Sequence, residues 1–275
     1  WDVMPDSNRA MAARQNNEVE LIESVPADYI NPMRNNEQVN LGILEQAQAY
    51  LVMNQAFPPF NNVKARLALA HMIDQNQFTR AMGYPDDMRV PYCETFFICD
   101  SANHTAAGAD PFRKPNPEKA KALLAESGYN GEKVVVLLPT DSAYLNAATL
   151  VAIQAMQDLG MNVDIQSMDW ATLTARRSRK ASVKDGGWTV VLSSASQFNV
   201  TSPISNTYLG AACGTSLPGW PCDEELDHRR AAWIAATTPE ERQAALDAVQ
   251  ERAYESFTYL PLGEFSRNFA SRKEV

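Results

Sequence analysis

The sequence is poor in residues that bind metals or act as nucleophiles. Its 275 residues include only three histidines (His71, His104 and His228) and four cysteines. It contains no Gly-x-Ser-x-Gly, no phosphate-binding Gly-x-x-x-x-Gly-Lys-Ser/Thr, no Gly-x-Gly-x-x-Gly and no His-Glu-x-x-His. These absences argue against the common hydrolases, nucleotide-binding enzymes and zinc proteases. We therefore predict neither an enzyme nor a protein that holds a metal or cofactor.

Positive charge and long apolar runs are also scarce. The 24 Lys and Arg residues against 33 Asp and Glu give a net charge of −9, which argues against nucleic acid or an anionic membrane as a partner. No apolar run approaches the roughly 20 residues of a membrane span, so membrane insertion is not expected. The densest basic cluster, 176–180, is interpreted as the end of a helix. Because the chain starts at Trp1 without a targeting segment and stops without a clear boundary, we interpret it as a possible fragment.

The four cysteines form two close pairs, Cys93 with Cys99 and Cys213 with Cys222. Two disulfides within these pairs are the simplest interpretation, and Gly and Pro residues between Cys213 and Cys222 supply turns. A metal site is the alternative, but the two spacings do not match the usual zinc ligand pairs. Disulfides indicate an oxidising compartment such as a bacterial periplasm.

Helix and strand patterns alternate along the chain, which predicts an α/β protein. Residues 133–138 and 162–166 read as strands around a helix at 144–159, a pattern that calls for a parallel pair with a right-handed crossover. The remaining expectations are helices at 7–17, 62–81, 116–127 and 238–253, a short helix beginning at Trp170, and strands at 18–22, 41–53, 188–192 and 257–262.

Two groups of polar residues could carry acid–base chemistry. His71 and Asp74 could form a dyad, although an ordinary pair on a helix surface is favoured. Asp223, Glu224 and Glu225 form a carboxylate cluster, but they fall where the first turn of a helix favours negative charge. Both groups are therefore interpreted as structural.

Aromatic and amide side chains are frequent in segments that read as loops or strand ends. Apolar walls with a few polar groups are typical of small-molecule pockets, so these residues fit a binding cleft. The alternative is that most of the aromatic rings pack in the core. The residues concerned are Phe57, Tyr144, Trp170, Trp188, Phe198 and Trp220, with Asn54, Gln197, Asn199 and Asn206.

Several motifs, in order, resemble one family. YLVMNQAFPPFNNVKARLALAHMIDQNQF at 50–78 is followed by PNPEKAKALLAESGY, LGMNVDIQSMDW, GGWTVVL and TPEERQAALDAVQERAYESFTYLPLG. This series resembles the extracytoplasmic solute-binding proteins of family 5, which serve peptide, nickel and opine ABC transporters.

The resemblance implies the periplasmic binding protein-like II fold of class C, the dipeptide-binding type, in which two lobes enclose the ligand. It places residues 51–260 in a nearly complete second lobe, and 1–50 with 261–275 in part of the first. The implied function is that of a periplasmic, monomeric substrate-binding component of an ABC importer. It would deliver a peptide-like or other small solute to the permease. A ligand sensor or chaperone-like binding protein of the same fold is the alternative, and a hydrolase is the least favoured.

The resemblance also suggests site residues. It places Asn54 and Phe57 at the hinge, where the chain crosses between lobes. Tyr144 matches a ligand-binding tyrosine of the dipeptide-binding members, but Ser142 stands where those members have an arginine. The loop 193–199 lacks their acidic residue. Asp141 either faces the cleft and favours a cationic ligand, or caps a turn. The residues expected to bind ligand are Asp141, Tyr144, Trp170, Trp188, Gln197, Phe198 and Asn199.

Overall fold

The structure is a computed structural model, and it describes residues 7–273. Helices and strands alternate through most of the chain, as the α/β prediction requires. The helices are α1 Ser7–Gln15, α2 Ala27–Arg34, α3 Val63–Ala70, α4 Gln75–Ala81, α5 Pro117–Glu126, α6 Ala143–Asp158, α7 Trp170–Arg177, α8 Glu224–Ala235 and α9 Pro239–Ser256. The strands are β1 Leu21–Ile22, β2 Val39–Met53, β3 Arg89–Val90, β4 Lys133–Pro139, β5 Asn162–Met168, β6 Val190–Ser196 and β7 Leu260–Arg272.

The seven strands form one mixed sheet in the order β1-β7-β2-β6-β4-β5, with β3 also paired to β7. The long strands β2 and β7 are antiparallel to each other, and β2 is antiparallel to β6. Strands β6, β4 and β5 are mutually parallel, so the predicted parallel β4/β5 pair is confirmed. Because these three strands run the same way, their carboxyl ends meet at one edge of the sheet.

Local capping signals predicted several helix boundaries correctly. The Asn116 side chain accepts a hydrogen bond from the Lys119 N–H, and Asp223 caps α8 in the same way. Thr238 and Glu241 form the reciprocal capping box that starts α9. The carboxylate cluster at 223–225 therefore caps and begins a helix.

The single helix predicted at 62–81 is wrong, because the chain forms two helices there. The carboxylate of Asp74 accepts hydrogen bonds from the N–H groups of Asn76 and Gln77 and so begins α4. His71 ends α3, is 2% exposed and stacks on Phe112 at 4.5 Å between ring centroids. Burial lowers the pKa of His71 to about 4. His71 and Asp74 therefore form neither a dyad nor a surface pair.

The predicted strands differ from the observed ones in their limits, most clearly in three cases. β1 covers only two residues of the expected 18–22, and β6 starts at Val190, after Trp188. The last strand starts at Leu260 because Phe257 has a left-handed backbone (φ 42°) that ends α9. It then continues to Arg272, because twelve of its thirteen residues pair with the long strand β2 and some of them also pair with β1 or β3.

Both predicted cysteine pairs are bonded, Cys93 to Cys99 and Cys213 to Cys222. Within residues 7–273, no helix has the length and apolar character needed to cross a membrane.

Candidate ligand-binding cleft

A cleft of about 360 Å³ opens at the edge where the parallel strands end. In open α/β sheets, ligands bind outside the carboxyl ends of the strands, so this edge is where a site is expected. The lining residues come from the turn after β4 and the first turn of α6, from the start of α7, from β6 and from β7. They are Asp141, Ser142, Tyr144, Leu145, Trp170, Ser193, Ser194 and Arg267.

Asp141 lies at the rim of the cleft and bonds to the first residue of α7, whose N-cap is Asp169. The two carboxylate oxygens of Asp141 accept from the Trp170 N–H, at 2.9 and 3.1 Å. The neighbouring bond from Thr140 N–H to the Met168 carbonyl, at 2.9 Å, joins the ends of β4 and β5. The contact seen is neither a turn cap after β4 nor a ligand contact, since it reaches a helix 29 residues away; the exposed carboxylate of Asp141 also lines the cleft. A role of Asp141 in ligand binding stays a prediction.

A chain of polar contacts crosses the floor of the cleft. The hydroxyls of Tyr144 and Ser194 are 3.0 Å apart, and Arg267 Nη2 donates to Ser194 Oγ at 2.6 Å. Arg267 Nη1 donates to Glu45 Oε1 at 2.8 Å, and the other oxygen of Glu45 accepts from the Ser196 hydroxyl. Three strands and one helix are therefore connected through side chains at this site.

Rings pack behind this polar chain. Tyr144 contacts Phe265 at 5.7 Å between centroids, and Tyr84 contacts both of them, at 6.4 Å and 4.6 Å. Burial raises the pKa of Tyr84, so its hydroxyl stays protonated. The packing holds the Tyr144 ring in place beneath its cleft-facing hydroxyl.

Comparison with known proteins assigns the family. Residues 1–215 match the profile of bacterial extracellular solute-binding proteins, family 5 Middle. The chain is 32% identical over 271 residues to y4tO of Sinorhizobium fredii, described as a probable peptide ABC transporter periplasmic-binding protein. That match covers 96% of this chain and 50% of the relative. The chain belongs to family 5 of the bacterial extracellular solute-binding proteins.

Solved structures show the same fold. The Helicobacter pylori protein DppA, in complex with the peptide STSA, superposes with a TM-score of 0.82 at 17% identity, over 99% of this chain and 52% of that one. The agropinic acid complex of AgaA from A. tumefaciens gives 0.80 at 23% identity, over 98% and 54%. These neighbours establish the predicted periplasmic binding protein type II fold. The chain spans about half the length of these proteins and of y4tO.

Trp188 was expected in the wall of the cleft, but the structure places it elsewhere. Trp188 is 1% exposed, its indole N–H donates to the Arg177 carbonyl at 2.9 Å, and its ring packs on Trp220. It comes just before β6, at the end of the strand remote from the cleft. Trp170, half-buried at the start of α7, lines the cleft, and its contact with a ligand stays a prediction.

The other expected ligand contacts lie beside the lining residues. Gln197, Phe198 and Asn199 form a short 3₁₀ turn directly after β6. Phe198 is 71% exposed, and Asn199 is exposed as well. Their role in binding stays a prediction.

Asn54 and Phe57 lie at the other end of β6. Asn54 is 1% exposed; its amide donates to the Trp188 carbonyl at 2.9 Å, and its backbone N–H donates to Thr189. These bonds join the end of β2 to the start of β6. Phe57 is half-buried in the corner that follows. A hinge at this junction stays a prediction.

Arg267 and Glu45 are the site residues that the sequence did not reveal. They lie directly opposite each other on β7 and β2. The only local signal is a charge within each strand segment, and their pairing depends on a register of strands more than 200 residues apart.

One group of potential metal ligands occurs among the described residues: Cys93, Cys99 and Glu264. Both sulfurs are engaged in a disulfide, which leaves no thiolate to donate. This group therefore offers a metal only one carboxylate.

Proposed function

We propose that this chain is part of the periplasmic substrate-binding component of an ABC importer, which captures a peptide-like or other small solute and delivers it to the permease. The observation that carries the proposal is the cleft at the carboxyl edge of β4, β5 and β6, in a chain of family 5. The relative y4tO, which is described as a probable peptide ABC transporter periplasmic-binding protein, supports a peptide-like solute.

The lining suits reversible binding. The Trp170 ring offers an apolar face, while Tyr144, Ser194 and Arg267 offer hydrogen-bonding groups. The lining holds serines but no histidine that could activate one, so the residues that form the cleft support binding without a chemical step.

We further propose that the cleft is one wall of a larger site. Residues 51–260 are assigned to the second lobe, and the chain before 51 and after 260 to the first. The long antiparallel pair β2/β7 supports this, because both proposed boundaries fall on it. The protein is proposed to act as a monomer.

Binding is tested in the protein at its natural full length, purified from periplasm. Mass spectrometry of the denatured protein identifies the retained solute, and titration calorimetry then measures its affinity. Trp170→Ala is expected to weaken binding at least tenfold, because it removes the aromatic wall. Trp188→Phe, outside the cleft, is the matched control and is expected to bind normally.

Absence of any retained or titratable solute would contradict the proposed function. Turnover of the solute into products by the purified protein would contradict binding without chemistry.

A further inference from the structure

The charged side chains that line the cleft already have partners within the protein. Two lining residues carry charge, Asp141 and Arg267. The chemistry that remains available at this wall determines which group of a solute can bind there.

Arg267 is compensated by Glu45. The pair is 2.8 Å apart, and its side chains are only 27% and 12% exposed, so solvent and salt screen it weakly. The antiparallel register places the two residues directly opposite each other, and the Ser196 hydroxyl satisfies the second oxygen of Glu45. The pair is thus fixed by the sheet.

The carboxylate of Asp141 is held in place by the start of α7. Both of its oxygens accept from the first N–H of that helix, where the backbone carries partial positive charge. That helix end also carries Asp169 as its N-cap, so two carboxylates share about half a unit of positive charge. With Arg267 paired to Glu45, the wall therefore offers a carboxylate no uncompensated positive charge, and the exposed Asp141 adds negative charge beside it.

Hydrogen-bond donors remain free on Arg267, whose charge Glu45 compensates. Arg267 has five N–H donors, of which Glu45 and Ser194 take one each. The hydroxyl of Tyr144 and the ring of Trp170 border the same space. An oxygen acceptor without charge fits these donors, whereas a carboxylate would lie beside Glu45 and Asp141.

We infer that this wall binds an uncharged oxygen-bearing group of the solute, an amide or a hydroxyl, in preference to a carboxylate, and that Glu45 sets this preference. The inference rests on the proposed function and specifies the ligand chemistry of the same cleft.

The test uses two N-acetylated tripeptide libraries of identical composition, one with free C-terminal carboxylates and one with C-terminal amides. The protein at its natural full length is equilibrated with both, and mass spectrometry gives the ratio of retained amide to retained acid. A third arm with neutral monosaccharides and alditols distinguishes hydroxyl from amide recognition. The wild type is expected to retain the neutral compounds at least threefold over the acids.

Glu45→Gln keeps an oxygen acceptor for Arg267 but removes the negative charge, so the ratio is expected to shift at least tenfold toward the acids. Arg267→Gln leaves Glu45 uncompensated and is expected to shift the ratio the opposite way. Glu126→Gln, from an exposed ion pair with Lys64 away from the cleft, is the control and is expected to leave it unchanged.

A wild-type preference for acids, or an unchanged ratio in Glu45→Gln, overturns this inference while the proposed function stands. Retention of no compound in any arm overturns the inference alone, because the proposed function is decided by the solute that the protein retains from periplasm. Melting curves of each variant verify folding, and the opposite shifts expected for the two charge variants exclude a general loss of structure.

Discussion

Glu264 is a buried acid on the face of β7 opposite to Phe265 and the cleft, because neighbouring strand residues alternate. It is 2% exposed, and its oxygens accept from the Cys99 N–H at 3.1 and 3.2 Å. Burial raises the pKa of Glu264 to about 7; the hydrogen bond from Cys99 opposes this, and the charge of Asp100 adds to it. The folded protein therefore favours the protonated acid.

This raised pKa makes the folding free energy depend on pH. Because the pKa is higher in the folded state than in the unfolded chain, the contribution is full below about pH 4.5 and is lost as pH rises through about 7. At about 1.4 kcal/mol per pKa unit, the loss amounts to about 3 kcal/mol. Glu264→Gln, which cannot ionise, is expected to remove this part of the pH dependence in urea denaturation at pH 5 and pH 8.

Glu126→Gln, on the exposed surface, is the control for this measurement and is expected to leave the pH dependence as in the wild type. The interpretation of Glu264 is wrong if the Glu264→Gln variant loses as much stability between pH 5 and pH 8 as the wild type does.

Individual site residues could be predicted where a sequence motif marks them. They could not be predicted where burial in the folded protein decides whether a side chain reaches the cleft. Tyr144 and Trp170 follow strands in a recognisable order, and both line the cleft. Trp188 also stands in a family motif, but the sequence could not show that its ring faces the interior. Whether an aromatic residue near a strand end lines a pocket or the core depends on the packing of distant elements.

At the scale of elements, the segment 62–81 shows how a local cap overrides a continuous apolar pattern. Helical spacing continues across the break between α3 and α4, but Asp74 takes a non-helical backbone and caps the second helix. Asn116 and Thr238 were correctly read as caps because a proline follows each one directly. Asp74 lacks that signal.

Asp74→Ala is expected to reduce the stability of the fold by about 1 kcal/mol, because the N–H groups of Asn76 and Gln77 lose their acceptor. Urea denaturation measures the change, and Asp74→Asn, which retains a capping oxygen, is expected to recover most of it. Equal losses in the two variants would show that the cap is not the source of the effect.

At the scale of the whole molecule, the candidate cleft is built from segments far apart in the chain. The turns after β4 and β5 and the end of β6 could be ordered from the motif series, because parallel strands end at one edge. The Glu45–Arg267 pair could not be predicted, since it depends on the register of β2 against β7, with a shift in that register just before Glu45. Long-range strand pairing leaves no local pattern in the sequence.

The junction at Asn54 connects the proposed lobe boundary to the sheet. Its side-chain amide donates to Trp188, and its side-chain oxygen accepts from the Ala56 N–H at 3.1 Å. Because Asn54→Ala leaves the buried Trp188 carbonyl and the part-buried Ala56 N–H without their bonds, we expect a loss of about 1–3 kcal/mol in unfolding free energy. If the junction is also a hinge, the same change alters how far the lobes close on a solute.

Asn206→Ala provides the matched control for the hinge. Asn206 is as buried as Asn54 and makes comparable amide bonds to Phe96 and Tyr259, away from the junction. In the protein at its natural full length, both variants are expected to lose similar stability in urea. Small-angle scattering with and without the retained solute is expected to show reduced compaction only for Asn54→Ala. The same compaction in both variants would leave Asn54 a structural residue and exclude it as a hinge.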